Sequence, residues 1–238
     1  CALPIWLETA LVRFSGQPKV STLCCGRTDA GVHGLMQVVH FDTPVARESG
    51  AWVRGTNTHL PHDIAVQWAA QVPDAFHCRA SALSRRYAYI LLQSPVRPSA
   101  EAGRVGWHYK ALDLAAMQRA AALLLGEHDF SSFRASSCQA LSPVKHLQRL
   151  DIRQRGAYWR FEFEANAFLH HMIRNIMGCL IMVGDGRHPP EWVGAVMQAR
   201  SREVAAPTFA PDGLYFLGPT YDAHWGLPQR TAAYDWLP

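Results

Sequence analysis

The chain has no apolar run approaching the about 20 residues needed to cross a bilayer, so a membrane-spanning helix is not expected. It also shows no internal repeat and no low-complexity tract. Its six cysteines (Cys1, Cys24, Cys25, Cys78, Cys138, Cys179) form no Cys-x-x-Cys pair. That spacing argues against a structural zinc or a disulfide scaffold and predicts reduced thiols in a cytoplasmic protein. No basic segment followed by an apolar stretch opens the chain, so no signal peptide is expected. A Gly-Lys-Ser/Thr phosphate loop is missing as well. Charge of one sign is scarce overall: 23 Lys and Arg stand against 19 Asp and Glu, a formal net charge of +4. So small an excess is weak evidence for a nucleic-acid partner.

The distribution of charge says more than the total. Residues 79–110 carry Arg79, Arg85, Arg86, Arg97, Arg104 and Lys110 against the single acid Glu101. Residues 134–160 carry Arg134, Lys145, Arg149, Arg153, Arg155 and Arg160 against Asp151. These two blocks either line a phosphate-binding surface or form solvated strand and loop faces. With 238 residues and 49% hydrophobic content, the chain is an ordinary globular protein of one large domain or two small ones.

Apolar residues at helical spacing predict helices over 5–14, with Gly16 as C-cap, and over 49–58, 112–125, 168–183 and 190–198. Strands are expected over 18–25, 35–41, 63–71, 84–93 and 213–217, and a hairpin joins 145–153 to 157–164 about Gly156. Residues 94–106, with two prolines and two glycines, read as a loop. The result is an α+β protein with a mainly antiparallel, mixed sheet flanked by helices. A boundary fits the turn-rich stretch 72–83, dividing an N-terminal half, 1–78, from a C-terminal half, 79–238.

The most informative segment is Cys25-Gly26-Arg27-Thr28-Asp29-Ala30-Gly31-Val32-His33-Gly34. Three glycines allow sharp turns, and one carboxylate sits two residues from one guanidinium. An Asp in such a loop is ordinarily a turn cap. An ionised Asp beside a cation is also a nucleophile. The segment is not an aspartic-protease motif, because Ala30 follows Asp29 and no second such motif exists.

The word Gly-Arg-Thr-Asp-Ala-Gly-Val-His resembles the active-site signature of the tRNA pseudouridine synthase A family. Further family-like segments follow in order: Asp63-Ile64-Ala65-Val66, Ser84-Arg85-Arg86-Tyr87-Ala88-Tyr89, Gly126-Glu127-His128-Asp129-Phe130, Phe133-Arg134-Ala135, Asn166 to Ile176, and Gly213-Leu214-Tyr215. The resemblance covers nearly the whole chain. It departs at the front: the chain starts at Cys1, and the family's opening strand and Tyr-Asp-Gly loop are not represented.

The resemblance implies two α/β-like halves meeting across a basic cleft with the signature loop at its floor. It implies a homodimer that isomerises uridine to pseudouridine at tRNA positions 38–40, in the anticodon stem-loop, with no cofactor and no metal. Residue by residue, it places the nucleophile at Asp29, the active-site tyrosine at Tyr87 and the cation that pairs with Asp29 at Arg174. Arg27, Arg85, Arg86 and Arg134 become candidates for substrate contact, and Leu214 for the apolar wall behind the target base. Each has a plainer reading. Tyr87 fits strand packing, as Tyr89 does; Arg174 fits a helix arginine reaching the surface; Leu214 fits ordinary core. Adjacent His170 and His171 point to different helix faces and do not make a zinc pair. Whether the carboxylate attacks the base or C1′ is open. Two rival functions are an RNA-binding or chaperone protein with a disabled site and a basic enzyme acting on a small phosphorylated substrate. The long apolar helices 168–183 and 190–198 suggest surface for a dimer.

Overall fold

The computed structural model describes residues 2–228; Cys1 lies outside them. In chain order the elements are α1 Ala2–Ser15, β1 Leu23–Cys24, β2 His33–Gly34, β3 Val39–His40, α2 Ser49–Asn57, β4 Ala82–Gln93, β5 Gly106–His108, α3 Leu114–Ala122 and β6 Gly126–Asp129. They continue with β7 Val144–Arg155, β8 Tyr158–Ala165, α4 Met172–Gly184, α5 Glu191–Ala199 and β9 Leu214–Tyr221. A mostly antiparallel, mixed sheet with flanking helices confirms the expected fold class. Among the described residues, no helix is long and apolar enough to cross a membrane.

The chain forms two compact units. One comprises the residues up to Asp29, Gln37–Leu83 and the segment from Pro219; the other comprises Ala30–Met36 and Ser84–Gly218. The larger unit is built on a sheet of order β2-β9-β4-β8-β7-β6, with β5 parallel to the end of β4. Strict alternation makes β8: Trp159, Phe161, Phe163 and Ala165 face one buried cluster and the residues between them do not. β4 is buried on both faces. Tyr87, Tyr89 and Leu91 pack on the main cluster, whereas Ala88, Ile90 and Leu92 belong to a second one. The β7–β8 hairpin closes at Gly156, whose φ of 60° suits glycine.

α4 is apolar on nearly every side and is accordingly sunk in the core of its own unit. The surface expected there for a partner chain is therefore already occupied. Its buried Asn175 donates to the Phe133 carbonyl and accepts from Thr208 and Arg202. The helix starts at Met172, not at 168, because His171 takes a left-handed φ of 62°; His170 and His171 therefore precede the helix, and their rings, expected on different helix faces, stand 4.0 Å apart. α3 starts at Leu114, where the Asp113 side chain caps the Ala116 amide. β6, Gly-Glu-His-Asp, lacks the apolar pattern of a strand and forms only because β7 offers its edge.

The smaller unit has little ladder. The segments expected as strands over 18–25 and 35–41 share a short ladder, Leu23↔His40 and Cys24↔Val39, extended by the Cys25 amide to the Val38 carbonyl. Residues 63–71 do not form a strand. Instead the Asn57 side-chain amide donates to the Val66 carbonyl at 2.9 Å and accepts from its N–H at 2.7 Å. One side chain thus does the work of a neighbouring strand. Glu8 similarly accepts both the amide and the hydroxyl of Thr22. Two apolar clusters fill the unit, one of Leu7, Leu11, Val20 and Trp52, the other of Cys25, Val38, Phe76 and Cys78. Cys24, Cys25, Cys78, Cys138 and Cys179 are free thiols. Burial, and then the neighbouring Cys25, pushes the Cys78 thiol up to about 12, so it is an inert apolar group at neutral pH.

Candidate active site

The signature loop begins in the smaller unit. The Cys25 amide donates to the Val38 carbonyl at 2.8 Å. Next to it, the Gln37 side chain takes both polar groups of Gly26: its Nε2 donates to the carbonyl at 2.7 Å and its Oε1 accepts from the amide at 3.3 Å. Arg79 adds a hydrogen bond to the Cys24 carbonyl. These bonds fix the base from which Arg27 and Asp29 leave. Arg27 is exposed and Asp29 is half-buried.

The loop continues in the larger unit, where a different set of groups holds it. Gly31 has a φ of 82°, and a Cβ there would stand 2.9 Å from the Pro211 ring. Only glycine meets both conditions without strain. His33 lies two residues on, at the start of β2. It pairs with Tyr215 of β9, stacks on that ring at 4.6 Å, and places Nε2 within 2.9 Å of the Gly103 carbonyl and 3.1 Å of the Asp212 carbonyl. Two carbonyl neighbours require that Nε2 carry the proton. Tyr215 in turn donates to the Arg104 carbonyl.

Residues 209–214 are the common support. Arg174, on the first turn of α4, donates Nε to the Phe209 carbonyl at 2.8 Å, and the Phe209 amide returns to the Arg174 carbonyl. Tyr89 donates to the Ala210 carbonyl. Pro211 meets Gly31, the Asp212 carbonyl meets His33, and Leu214 begins β9. This one segment ties α4, β4 and the second half of the signature loop together. Arg174 thus lies along the segment.

Tyr87 sits in an aromatic niche: Phe168 meets it edge-on at 5.2 Å, and Phe216 lies tilted at 4.8 Å. Leu214 is buried in the cluster against which Tyr87 packs. Tyr89 is fully buried, and burial raises its phenol far above the ordinary tyrosine range, which keeps it structural. The other basic candidates are held elsewhere by main-chain carbonyls. Arg85 reaches Asn166, and Arg134 spans the carbonyls of Cys138 and Ala140 at 2.7 and 2.9 Å. Arg86, one residue from Arg85 on β4, takes the opposite face and buries its Nε.

Sequence reasoning missed Gln37, His33, Phe168, Phe216 and the 209–214 segment as supports. His33 and Phe168 stood inside quoted motifs, but nothing local says that a histidine will reach two distant carbonyls. The support from Phe209 to Asp212 lies outside every quoted motif.

Comparison with known proteins gives the class. A family model described as tRNA pseudouridine synthase matches residues 120–222. The chain belongs to the tRNA pseudouridine synthase family, whose members are isomerases. Within it, the chain is similar to proteins named tRNA pseudouridine synthase A. That of Albidiferax ferrireducens is 72% identical, with 98% of this chain and 89% of the relative covered. That of Paracidovorax citrulli is 68% identical, with 98% and 90% covered.

Proposed function

We propose that this protein is a cytoplasmic tRNA pseudouridine synthase that isomerises uridine on the 3′ side of the anticodon stem-loop, at tRNA positions 38–40. The observation that carries this reading is the intact Gly26–Gly34 signature, held at both ends by groups that serve no other evident purpose. Gln37 clamps one end and the Gly31–His33 contacts clamp the other. Each set of contacts fixes its own stretch of the loop before substrate arrives, which lowers the cost of orienting that stretch in the transition state.

The reaction breaks the N1–C1′ bond of uridine, turns the uracil, joins C5 to C1′ and releases the C5 proton. The steps involve no change of oxidation state, so no redox partner is needed. Asp29 is the nucleophile, attacking C1′ or the base, and its charged form is required in either case. Arg174 is the cation that keeps it ionised. Tyr87 offers its ring to the extruded uracil and its hydroxyl to the C5 proton. Leu214 walls the base, while Arg27, Arg85, Arg86 and Arg134 contact the RNA. A homodimer is part of the proposal. It rests on the family and on the size of a stem-loop, since α4 is spent on the core of its own unit.

The experiment is release of tritium from tRNA carrying 5-tritiated uridine. Stoichiometric release supports the isomerase. Tight tRNA binding with no release supports the rival, an RNA-binding protein with a disabled site.

A further inference from the structure

Opposite in character to the buried niche of Tyr87, β5 carries an exposed aromatic pair. Trp107 is 37% exposed and Tyr109, one residue past the strand, is 59% exposed. Their centroids lie 6.3 Å apart with the planes tilted by 46°. His108 between them points inward and is buried, so strand alternation aims both rings outward.

The backbone beneath is rigid. Trp107 is opposite Leu92 in the parallel β4–β5 ladder, the Ser94 amide donates to the His108 carbonyl, and the Trp107 indole donates to the Ser94 carbonyl. His108 Nε2 stands 3.3 Å from Asp185 Oδ2 at the end of α4. Burial lowers the His108 pKa.

Exposed basic groups flank the rings. The Lys110 ammonium lies 5.8 Å from the Tyr109 centroid, and Arg187 is close enough to interact electrostatically with Tyr109. Arg97 and Arg104 are exposed on the loop that joins β4 to β5. Asp185 has a fully buried side chain, accepts a hydrogen bond from Arg187 Nε at 2.8 Å and forms an ion pair with Arg187 Nη2 at 2.6 Å. Glu101 accepts from Tyr158, and Asp113 caps α3. An apolar protein partner does not account for that charge. An unpaired nucleotide does: its base has a flat face for the rings and its phosphate a charge for the cations.

We infer that Trp107, Tyr109 and Lys110 form a docking platform on which an unpaired nucleotide of the tRNA stacks. This rests on the proposed RNA substrate and adds a contact to it. The platform contributes affinity by π-stacking and by phosphate neutralisation, and the rigid strand presents it without further ordering.

The test is fluorescence anisotropy with unmodified tRNA at several salt concentrations, beside tritium release by the same proteins. Tyr109→Ala is expected to raise Kd about 5- to 20-fold and KM by a similar factor, the order seen when a base loses its aromatic platform. Tyr109→Phe keeps the ring and is expected to stay within about twofold. Lys110→Gln should weaken binding and lower the salt slope by about one. Tyr109 and Lys110 are both exposed, and melting curves check that each variant folds. Tyr109→Ala binding within twofold of the unaltered protein overturns the platform while leaving the isomerase intact. So does a Tyr109→Ala protein with unchanged tRNA affinity but a halved mass in light scattering, since the occupant is then a second copy. If the unaltered protein neither binds tRNA nor releases tritium, the substrate reading fails and takes the platform with it.

Discussion

The two units are held by different means. In the larger, strands of eight and twelve residues share long ladders, and one buried cluster runs under them. In the smaller, the β1–β3 ladder is two residue pairs long. There the backbone is fixed by side chains: Gln37 on Gly26, Asn57 on Val66, Glu8 on Thr22, Arg79 on Cys24. A ladder shares its load over many equivalent bonds, so it tolerates the loss of any one. A clamp has no substitute. Stability should therefore reside mainly in the larger unit, and local geometry in the smaller should depend on single polar residues.

The largest expected effect comes from breaking the ladder-bearing core. Trp159 is almost fully buried in the main cluster. Trp159→Ala should cost about 3–5 kcal/mol of unfolding free energy, read from denaturant curves. A loss below about 1 kcal/mol would show that this core is not what holds the larger unit, and the contrast would fall.

Next is Gly31→Ala. The added methyl meets Pro211, and the backbone is left-handed there. We expect a cost of about 1–3 kcal/mol and a fall in turnover that exceeds the fall in tRNA affinity. Equal loss of both would mean that the second half of the loop binds and does not position.

Gln37→Ala sharpens the comparison most. It removes both bonds to Gly26 while sparing the apolar clusters. The expected stability cost is only about 1 kcal/mol, yet turnover should fall well over tenfold. Unchanged turnover would mean that Gln37 is dispensable to the geometry of Asp29.

The smallest effect concerns pH, and it belongs to the larger unit. The folded pKa of His108 is lowered by burial, although Asp185 pulls the other way. A group whose folded pKa lies below its unfolded value of 6.5 takes up its proton more readily when unfolded. Stability should therefore decline as pH falls from 6.5 toward the folded value. Burial alone would raise the Asp185 pKa, but the hydrogen bonds and charge of Arg187 outweigh it and the pKa is lowered. Its contribution is present above the ordinary value of 3.8 and disappears as pH falls through the folded value. His108→Gln should flatten the upper part of this slope in melting temperature against pH and leave the lower part. An unaltered upper slope would assign that titration to another histidine.

Much of the larger unit was legible because its pattern is local. β4 and the β7–β8 hairpin follow from alternation and from Gly156, and α3, α4 and α5 fall within four residues of their expected starts. The misses share a cause. Residues 63–71 alternate like a strand, but the Asn57 side chain takes both backbone groups of Val66 that a neighbouring strand would pair with. β6 has a polar sequence and is recruited by a free edge. The first residues of the expected α4 helix are lost to one left-handed residue, His171. For the site, Asp29, Tyr87 and Arg174 were identified from motifs that stand in the chain as continuous words. Gln37, His33 and Phe209 act through partners 11, 179 and 35 residues away. No short window holds both ends of such a contact.

The central claim is that the clamped loop presents Asp29 as the nucleophile of a uridine isomerase. Its most direct test is single-turnover tritium release from 5-tritiated tRNA by the unaltered protein and by Asp29→Asn. The account predicts one tritium released per modified uridine by the unaltered protein and none by the variant. It also predicts variant tRNA affinity within a few-fold, because phosphate contacts dominate binding. Measurable release by pure Asp29→Asn protein would contradict it.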